Sequence, residues 1–200
     1  MSLTKTPICK FGEAAKNFEL ISTENKKISL DDVRGQKGTL IMFICNHCPY
    51  VKAVIKDIVE DVKYLETLGI KSVSIMSNDV NNYPEDSFEN MVLFSKQNDF
   101  SFPYLYDKTQ DVAKKYGAVC TPDFFGYNKN LELQYRGRIR ELKNLKPVRN
   151  EVSELCEAMK QISLSGEGPE KQIPSMLKNM VTLGNAVMSC CDDYDKDTEE

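Results

Sequence analysis

Two cysteines separated by two residues, Cys45 and Cys48, are the residues of this sequence best suited to chemistry. His47, the only histidine of the chain, lies between them, and Pro49 follows at once. Two thiols at this spacing can close a reversible disulfide, so that one attacks a partner's disulfide and the other resolves the mixed disulfide. The same side chains are soft metal ligands, and a single activated thiolate can reduce a peroxide. The motif therefore leaves four interpretations open: disulfide exchange, metal binding, peroxide reduction, or two inert thiols of the core.

The sequence around the pair predicts a strand that ends there and a helix that begins there. Residues 38–45 are short, apolar and bounded by glycine, as in a buried central strand. Over residues 51–68 apolar side chains recur at helical spacing, and a glycine comes next. Helix N-termini favour a thiolate, and Pro49 suits a first turn because its missing N–H would be unpaired there. We therefore expect the helix end and a protonated His47 to lower the pKa of the neighbouring thiol.

The rest of the chain predicts an α/β fold. Residues 70–76 form a second apolar run, so a strand, a helix and a strand make a right-handed βαβ unit with a parallel sheet. Residues 1–14 are predicted to be irregular. The other predicted elements are hairpins over 18–30 and 123–137, and helices over 86–97, 109–116, 146–166 and 174–188.

The whole pattern resembles the thioredoxin superfamily and, within it, the AhpC/TSA (redoxin, peroxiredoxin-like) branch. The resemblance runs from about Gly12 to Pro174. It rests on GEAAKNFEL at 12–20, CNHCPYVK at 45–52, YPEDS at 83–87, CTPDFF at 120–125 and YRGRI at 135–139. It implies a thioredoxin-like fold, with a central mixed β-sheet flanked by helices on both faces, an N-terminal hairpin and a C-terminal extension.

The resemblance also implies roles for individual residues. Cys45 would be the attacking thiol and Cys48 the resolving thiol of a thiol–disulfide oxidoreductase, whose substrates are protein or small-molecule disulfides and whose partner is a thiol reductant or oxidant. Thr121–Pro122 would be a cis-proline segment facing the pair. The supporting residues would be Asn46, His47, Pro49, Thr121, Pro122 and Cys120. Cys120, two residues before Pro122, is either a third redox thiol or a small buried residue of the sheet.

A peroxidase is the alternative within enzymes. Peroxiredoxins carry a Thr-x-x-Cys-Pro pattern, which would make Cys48 the peroxidatic cysteine and Cys45 the resolving one. The arginine that assists such a cysteine is expected near Thr121–Pro122, where the sequence has none. The nearest arginines, in or beyond the second strand of the later hairpin, are Arg136, Arg138 and Arg140. This absence weakens the peroxidase hypothesis.

A second departure concerns proton transfer. Thioredoxins place a buried acid beneath the cysteines, at a position corresponding to about Thr39, and residues 38–44 contain no acid. Proton transfer would then use His47, water or another group.

Copper is the alternative outside enzymes, as a binding module using Cys45 and Cys48, with His47 near them. A second histidine does not exist in the chain, and zinc would need a fourth ligand such as Cys120. We therefore predict no metal and no cofactor.

Composition bounds the remaining possibilities. The net charge is −4, and no basic face stands out, which argues against nucleic acid as a partner. No run approaches the roughly 20 apolar residues of a transmembrane helix, and the first 18 residues contain no apolar signal-like stretch. The expectation is a cytoplasmic protein, or a periplasmic one if a targeting segment has been removed.

Length and cysteine usage suggest one domain with extensions. The chain has 200 residues and seven irregularly spaced cysteines, too sparse for a secreted disulfide scaffold. We predict an N-terminal arm over 1–14, a thioredoxin-like domain over 15–166 and an extension with an acidic tail over 167–200. Cys190 and Cys191, beside that tail, are predicted to be idle thiols rather than a secondary shuttle or a soft-metal site.

Overall fold

The elements that carry the predicted site belong to one mixed β-sheet. A computed structural model of the chain describes residues 3–148 and 153–178. Within these ranges the strands are β1 (Leu3–Lys5), β2 (Glu19–Ser22), β3 (Lys27–Ser29), β4 (Gly38–Phe43), β5 (Ile70–Met76), β6 (Tyr104–Tyr106), β7 (Asp123–Asn128), β8 (Leu133–Tyr135), β9 (Leu142–Lys143), β10 (Lys146–Pro147) and β11 (Met176–Lys178). The helices are α1 (Pro49–Thr67), α2 (Phe88–Gln97), α3 (Asp111–Tyr116) and α4 (Glu154–Ser165), and Pro84–Asp86 form a 3-10 turn.

The sheet brings the two halves of the site together by its register. The strand order is β3-β2-β6-β5-β4-β7-β8, with β4 parallel to β5 and antiparallel to β7. Phe43, the last residue of β4, pairs with Asp123, the first residue of β7. The residues directly after β4 and those directly before β7 therefore lie at the same edge of the sheet, which places the cysteines beside Thr121–Pro122.

Helix α1 starts at the pair because the sequence changes there from a continuous apolar run to a helical pattern. Cys48 is its N-cap residue and Pro49 occupies the first turn. The buried face consists of Val51, Val54, Ile55, Ile58, Val62 and Leu65, together with Asp57 and Val59. Each fully buried aliphatic side chain contributes roughly 1.5–3 kcal/mol. After the helix, Gly69 adopts a φ of +82°, a conformation that other residues rarely reach.

Helices cover both faces of the sheet. One apolar cluster joins α1, α2 and α4 to the side chains of β4 that include Leu40 and Met42. The other cluster joins α3 to the opposite side of the same strand, through Ile41 and Phe43. The predicted α/β, thioredoxin-like architecture with a central mixed sheet is confirmed, and so are both predicted hairpins, which form β2–β3 and β7–β8.

Two predicted helices are wrong in part. The helix predicted over 146–166 starts only at Glu154, because Lys146–Pro147 pair with Leu142–Lys143 as a short hairpin. Ser153 is the true N-cap, and its side chain accepts a hydrogen bond from the N–H of Cys156. Of the helix predicted over 174–188, Met176–Lys178 form a strand, and the positions beyond 178 lie outside the described residues.

The N-terminal arm also contains a strand where none is predicted. Leu3–Lys5 pair with Met176–Lys178 in an antiparallel ribbon, and the N–H of Thr6 donates to the carbonyl of Ser175. The described parts of the arm and of the C-terminal extension therefore bind to each other. A three-residue strand of mixed composition carries too little pattern to be predicted from its own residues.

Candidate active site

The cysteine pair sits at the junction of β4 and α1. The N–H of Ile44 still pairs with Ile75 of the neighbouring strand, after which the backbone leaves the sheet. Residues 45–48 then lead directly into the helix. Both cysteines are free, so the structure is that of the dithiol form.

Both sulfur atoms contact Thr121. The Thr121–Pro122 peptide bond is cis. Cys45 Sγ lies 3.4 Å from Thr121 Oγ1, and Cys48 Sγ donates to the Thr121 carbonyl oxygen at 3.2 Å. The fold therefore places Thr121 in contact with both thiols, although it lies 76 residues after Cys45 and 73 residues after Cys48 in the chain.

Burial changes the acidity expected for the first thiol. Cys45 and Cys48 are both 0% exposed. Burial raises the pKa of Cys45 well above its usual value, and the neighbouring Cys48 thiol and the charge of Asp86 raise it further. The hydrogen bond from Thr121 opposes this only in part. The expected lowering of the pKa is therefore wrong for Cys45, because desolvation outweighs the field of the helix end.

His47 is paired with a buried carboxylate. Its Nδ1 lies 2.6 Å from Oδ2 of Asp86, whose side chain is fully buried, while the imidazole keeps about 10% of its surface exposed. Burial lowers the pKa of His47, but the hydrogen bond and the charge of Asp86 outweigh burial, so the pKa is raised overall. At the position of β4 where thioredoxins carry an acid this chain has the buried Thr39, and the buried carboxylate of Asp86 lies close to Cys45 instead.

Asp86 belongs to residues 77–87, a segment that contacts the loop between the two cysteines and that we call the strap. Oδ1 of Asp86 accepts hydrogen bonds from the N–H groups of Asn46 and His47, at 2.7 and 3.2 Å. Oδ2 also accepts from Asn78, at 2.7 Å. The aromatic ring of Tyr83 stacks on the imidazole at 4.8 Å with an interplanar angle of 5°. The strap therefore holds the loop between the two cysteines in place through hydrogen bonds and one stacked ring.

Asn46 links the same loop to the sheet and to the strap. Its amide donates to the Glu85 carbonyl, and its Oδ1 accepts a hydrogen bond from the Tyr104 hydroxyl at 2.9 Å. Together with the bond from its backbone N–H to Asp86, these contacts hold Asn46 from three directions.

The contact of the strap with the cysteine loop is not apparent from the sequence. Asp86 and Ser87 are equal candidates for capping α2 on sequence grounds, and Ser87 caps it by accepting from the N–H of Asn90. The carboxylate of Asp86 is therefore available to face the cysteines. The YPEDS motif is the only signal in this segment, and its spacing alone assigns it no partner 39 residues away.

The remaining described cysteines are buried and weakly acidic. Cys120 is 0% exposed, its Sγ donates to the Pro122 carbonyl at 3.6 Å, and burial raises its pKa well above the usual value. Burial likewise raises the pKa of Cys9 to about 11 and that of Cys156 to about 12. Cys190 and Cys191 lie outside the described residues.

Arg136 braces the loop that carries Thr121 and Pro122. Its guanidinium pairs with the buried carboxylate of Asp123 at 2.9 Å and donates to the carbonyl of Gly117 at 2.6 Å. It also lies over the ring of Phe125, 4.4 Å from the centroid. The cation is thus engaged on both sides of the Thr121–Pro122 bend, which is a bracing role.

A cavity of about 460 Å³ opens beside Pro122. Tyr50 and Val54 of α1 form one wall, Phe124 of β7 lines it as well, and the β9–β10 hairpin contributes Leu142. Arg138 and Arg140 add positive charge, although ion pairs with Glu154 and Asp57 partly offset it. With Glu141 also in its lining, the cavity offers a mixed apolar and charged surface beside Pro122, whose neighbour Thr121 contacts both sulfurs.

The potential metal ligands that lie together at the pair differ from those of the copper hypothesis. One potential ligand atom from each of Cys45, His47 and Asp86 lies within 4.8 Å of the others. Asp86 is a hard donor, and it already accepts four hydrogen bonds with its two oxygens. We therefore describe the arrangement as a hydrogen-bonded network, and copper binding through Cys45 and Cys48 stays an untested alternative to the prediction of no metal.

Replacing Tyr83 with alanine should make the pair easier to alkylate. A stacked aromatic pair is worth about 0.5–1.5 kcal/mol, so its loss should favour opening of the strap and raise the iodoacetamide rate of Cys45 or Cys48 by about 2- to 10-fold. The rate and the modified residue are measured by mass spectrometry on the reduced, folded protein. Tyr64→Ala, which removes an exposed tyrosine of α1, is the matched control. Equal rates in the two variants would show that the strap does not limit access.

Among the described residues, no helix combines the length and the apolar character that crossing a bilayer requires.

Comparison with known proteins agrees with the geometry. The thiol-disulfide oxidoreductase ResA of Bacillus thuringiensis subsp. konkukian is 31% identical over 134 residues, covering 64% of this chain and 69% of that protein. The crystal structure of an uncharacterized conserved protein from Geobacillus kaustophilus matches with a TM-score of 0.78 and 38% identity, over 88% of this chain and 94% of the other.

A more distant structure shows the fold alone. The thioredoxin domain of a thiol-disulfide oxidoreductase from Bacteroides vulgatus matches with a TM-score of 0.54 and 14% identity, over 67% of this chain and 89% of that one. The sequence model of the AhpC/TSA family matches residues 11–142, a range that contains the cysteine pair, the strap and the cis-proline segment. The chain belongs to the AhpC/TSA family.

Proposed function

We propose that this protein is a thiol–disulfide oxidoreductase that exchanges disulfides through Cys45 and Cys48. The observation that carries the proposal is the contact of both sulfurs with Thr121, beside a cis-proline and at the N-terminus of α1. Two thiols that share one neighbour at that place can alternate between dithiol and disulfide. The ResA relative bears the name of the same activity, which supports the proposal.

The reaction consists of two exchanges. The Cys45 thiolate attacks one sulfur of a substrate disulfide, forming a mixed disulfide and releasing the first substrate thiolate. The Cys48 thiolate then attacks the Cys45 sulfur, which closes the Cys45–Cys48 disulfide and releases the second thiolate. Two electrons pass from the protein to the substrate, and a thiol reductant restores the dithiol. With an oxidant as partner, the same steps run in reverse.

Substrate must reach thiols that are buried in the dithiol form. Since Cys45 is 0% exposed, the first attack requires the strap to move or the substrate to enter from the Pro122 side. The cavity beside Pro122 lies on that side and suits an extended peptide or a small disulfide with apolar and anionic parts. We therefore propose protein or small-molecule disulfides as substrates.

The unit that does this chemistry is proposed to be residues 15–166, with 1–14 and 167–200 as flanking segments. The Ala14–Glu132 bridge and the Gly12 N–H to Leu133 carbonyl bond tie the end of the arm to β8. The arm therefore supports the domain from one edge.

Peroxide reduction by Cys48 is the competing hypothesis, and one comparison separates the two. We expect the reduced protein to catalyse insulin disulfide reduction with dithiothreitol and to react only slowly with hydrogen peroxide, because Arg136 is engaged by Asp123 and Gly117. Insulin turbidity and single-turnover peroxide oxidation measure the two activities. Cys120→Ser serves as a control that keeps both members of the pair. Fast peroxide oxidation that survives Cys45→Ser and disappears in Cys48→Ser would establish a peroxidase instead.

A further inference from the structure

Exchange at buried thiols needs a proton acceptor, and the imidazole of His47 lies beside the cysteine pair. A thiol must lose its proton before it attacks, and burial makes that loss unfavourable for Cys45. A ring nitrogen of His47 lies within 4.8 Å of Cys45 Sγ. The imidazole therefore lies beside the thiol, and a proton path from Cys45 Sγ to Nε2 runs through a bridging water molecule or a small movement of the ring.

Asp86 determines which nitrogen of His47 is available. A carboxylate only accepts hydrogen bonds, so Nδ1, at 2.6 Å from Oδ2, must carry a hydrogen and donate it. In the neutral ring Nε2 is then the bare, basic nitrogen. Nε2 is buried and has no hydrogen-bond partner among the described residues. The imidazole is therefore held in the Nδ1–H tautomer, and its basic atom, Nε2, makes no hydrogen bond to the described residues.

The carboxylate itself is held rigidly. It is fully buried, and besides His47 Nδ1 it accepts from two backbone N–H groups of the 45–48 loop and from the Asn78 amide. The stacked ring of Tyr83 fixes the plane of the imidazole. The titratable groups around His47 are Asp86 and Glu85 from the strap, Cys45 and Cys48 from its own loop, and the stacked Tyr83.

We infer that Asp86 is a positioning residue that holds His47 as the proton acceptor of the cysteine pair. The inference rests on the proposed exchange reaction. In the first exchange Nε2 takes the proton of the Cys45 thiol, the thiolate forms its bond to a substrate sulfur, and the sulfur–sulfur bond of the substrate breaks. The imidazolium then returns the proton to a departing substrate thiolate. Asp86 accepts the Nδ1–H hydrogen bond throughout and takes no part in the proton transfer.

Asp86→Asn changes the tautomer with little change of shape. The new side-chain amide keeps one oxygen for the backbone N–H groups of Asn46 and His47, and its NH₂ faces Nδ1 and donates to it. The side-chain amide of Asn78, which donates to Oδ2 in the wild type, then turns its oxygen toward this NH₂. The hydrogen of the neutral ring then sits on Nε2, and the basic nitrogen is lost to the amide. The pKa of His47 should fall, since the carboxylate that raises it is gone.

Kinetics test the role in catalysis. In single-turnover reactions of the reduced protein with 4,4′-dithiodipyridine, the wild-type rate should rise with pH along the ionisation of His47. Asp86→Asn should be about 100-fold slower at pH 7, the lower end of what general acid–base catalysis contributes. The deficit should narrow as the pH rises, because the thiols then ionise without a base. A rate within about 2-fold of wild type at pH 7 would overturn the inference.

Nitrogen-15 NMR tests the tautomer independently of activity. His47 is the only histidine, so protein made without a histidine tag gives a single imidazole to assign. The wild type should show the Nδ1–H tautomer with a raised pKa, and Asp86→Asn should show the Nε2–H tautomer with a lower one. An Nε2–H tautomer in the wild type would also overturn the inference.

Asp79→Asn is the matched control. Asp79 is a second buried acid of the strap, and its carboxylate accepts from Asn81 and Asn82 instead of His47. This variant should keep the wild-type tautomer and pH profile. If the exchange rate falls equally in both variants, Asp86 serves only the integrity of the strap and the inference is wrong. If wild type forms no Cys45–Cys48 disulfide with the probe, the proposed function itself fails. Normal wild-type exchange without an effect of Asp86→Asn contradicts only the role of Asp86.

Discussion

Cys48→Ser should stop the exchange halfway, so that the protein accumulates as a mixed disulfide with its substrate through Cys45. Cys45 can still attack, but no second thiol at the junction can displace the substrate, and Cys120 is buried with its thiol directed to the Pro122 carbonyl. Cys45→Ser should form no adduct at the pair. Turnover in insulin reduction should fall by on the order of 10³-fold or more in both variants, because each removes a group that forms a covalent bond.

The adduct is measured by non-reducing electrophoresis and by intact mass after a stoichiometric addition of 4,4′-dithiodipyridine, which leaves a thiopyridyl group on the attacking cysteine. Cys120→Ser should behave as wild type and close to the Cys45–Cys48 disulfide without a trapped adduct. A stable adduct on Cys48 in Cys45→Ser, with none on Cys45 in Cys48→Ser, would reverse the assignment of the two thiols.

The junction that carries the pair could be predicted because each of its parts has a local cause. Residues 38–44 are apolar without a break, helical periodicity starts at Val51, and Pro49 fits a first turn. These patterns place the cysteines between a buried strand and a helix without any knowledge of the tertiary structure. The register of β4 and β7 then places the cysteines beside Thr121–Pro122, because Phe43 pairs with Asp123.

The sequence does not reveal which residues lie on top of the junction. Asp86 is 39 residues from His47, in a strap without regular periodicity, and its role depends on a backbone path that no local rule specifies. The complete burial of Cys45 is likewise a tertiary property, and it raises the pKa of that thiol where the local pattern predicts a lowered one. A helix end lowers the pKa of a thiol that keeps contact with water, and its field is too weak to offset complete desolvation.

The start of α4 could not be predicted from the local pattern either. The apolar spacing after Pro147 continues smoothly into α4, so periodicity alone extends the helix too far back. The β9–β10 hairpin takes Lys146 and Pro147 out of it through pairing with Leu142–Lys143, and this hairpin lines the cavity beside Pro122. A tertiary feature next to the site therefore overrides the local helical pattern.

Arg136→Met should cost roughly 3–5 kcal/mol of unfolding free energy, the usual cost of breaking a buried ion pair by removing one partner. Both side chains are almost fully buried, with 8% and 1% of their side-chain surface exposed. Burial already raises the pKa of Asp123, and Arg136 opposes that rise. Without the guanidinium, the carboxylate must either remain ionised in an apolar site or take up a proton, and both are unfavourable at neutral pH.

The sign of the pH dependence comes from the same electrostatics. Losing Arg136 raises the folded-state pKa of Asp123 further above its unfolded value. The part of the stability loss that comes from the Asp123 charge is therefore full at neutral pH and vanishes below the unfolded pKa, while the lost contacts with Gly117 and Phe125 remain. Urea unfolding at several pH values measures it. Arg138→Met, which breaks a pair with Glu154 that is 27% and 31% exposed, should cost less than about 1 kcal/mol. A cost for Arg136→Met no larger than that of this control would contradict the bracing role.

The same variant links stability to catalysis. Arg136 holds Gly117 and Asp123, the residues on either side of the bend that presents Thr121 to both sulfurs. Exchange by the folded fraction of Arg136→Met should therefore slow as well, since Thr121 would no longer be fixed against Cys45 and Cys48. Replacing both partners, as in Asp123→Leu with Arg136→Met, should recover much of the stability because no unpaired charge remains buried. If that double variant regains stability but not the exchange rate, the ion pair serves to position Thr121 and Pro122 as well as to hold the fold together.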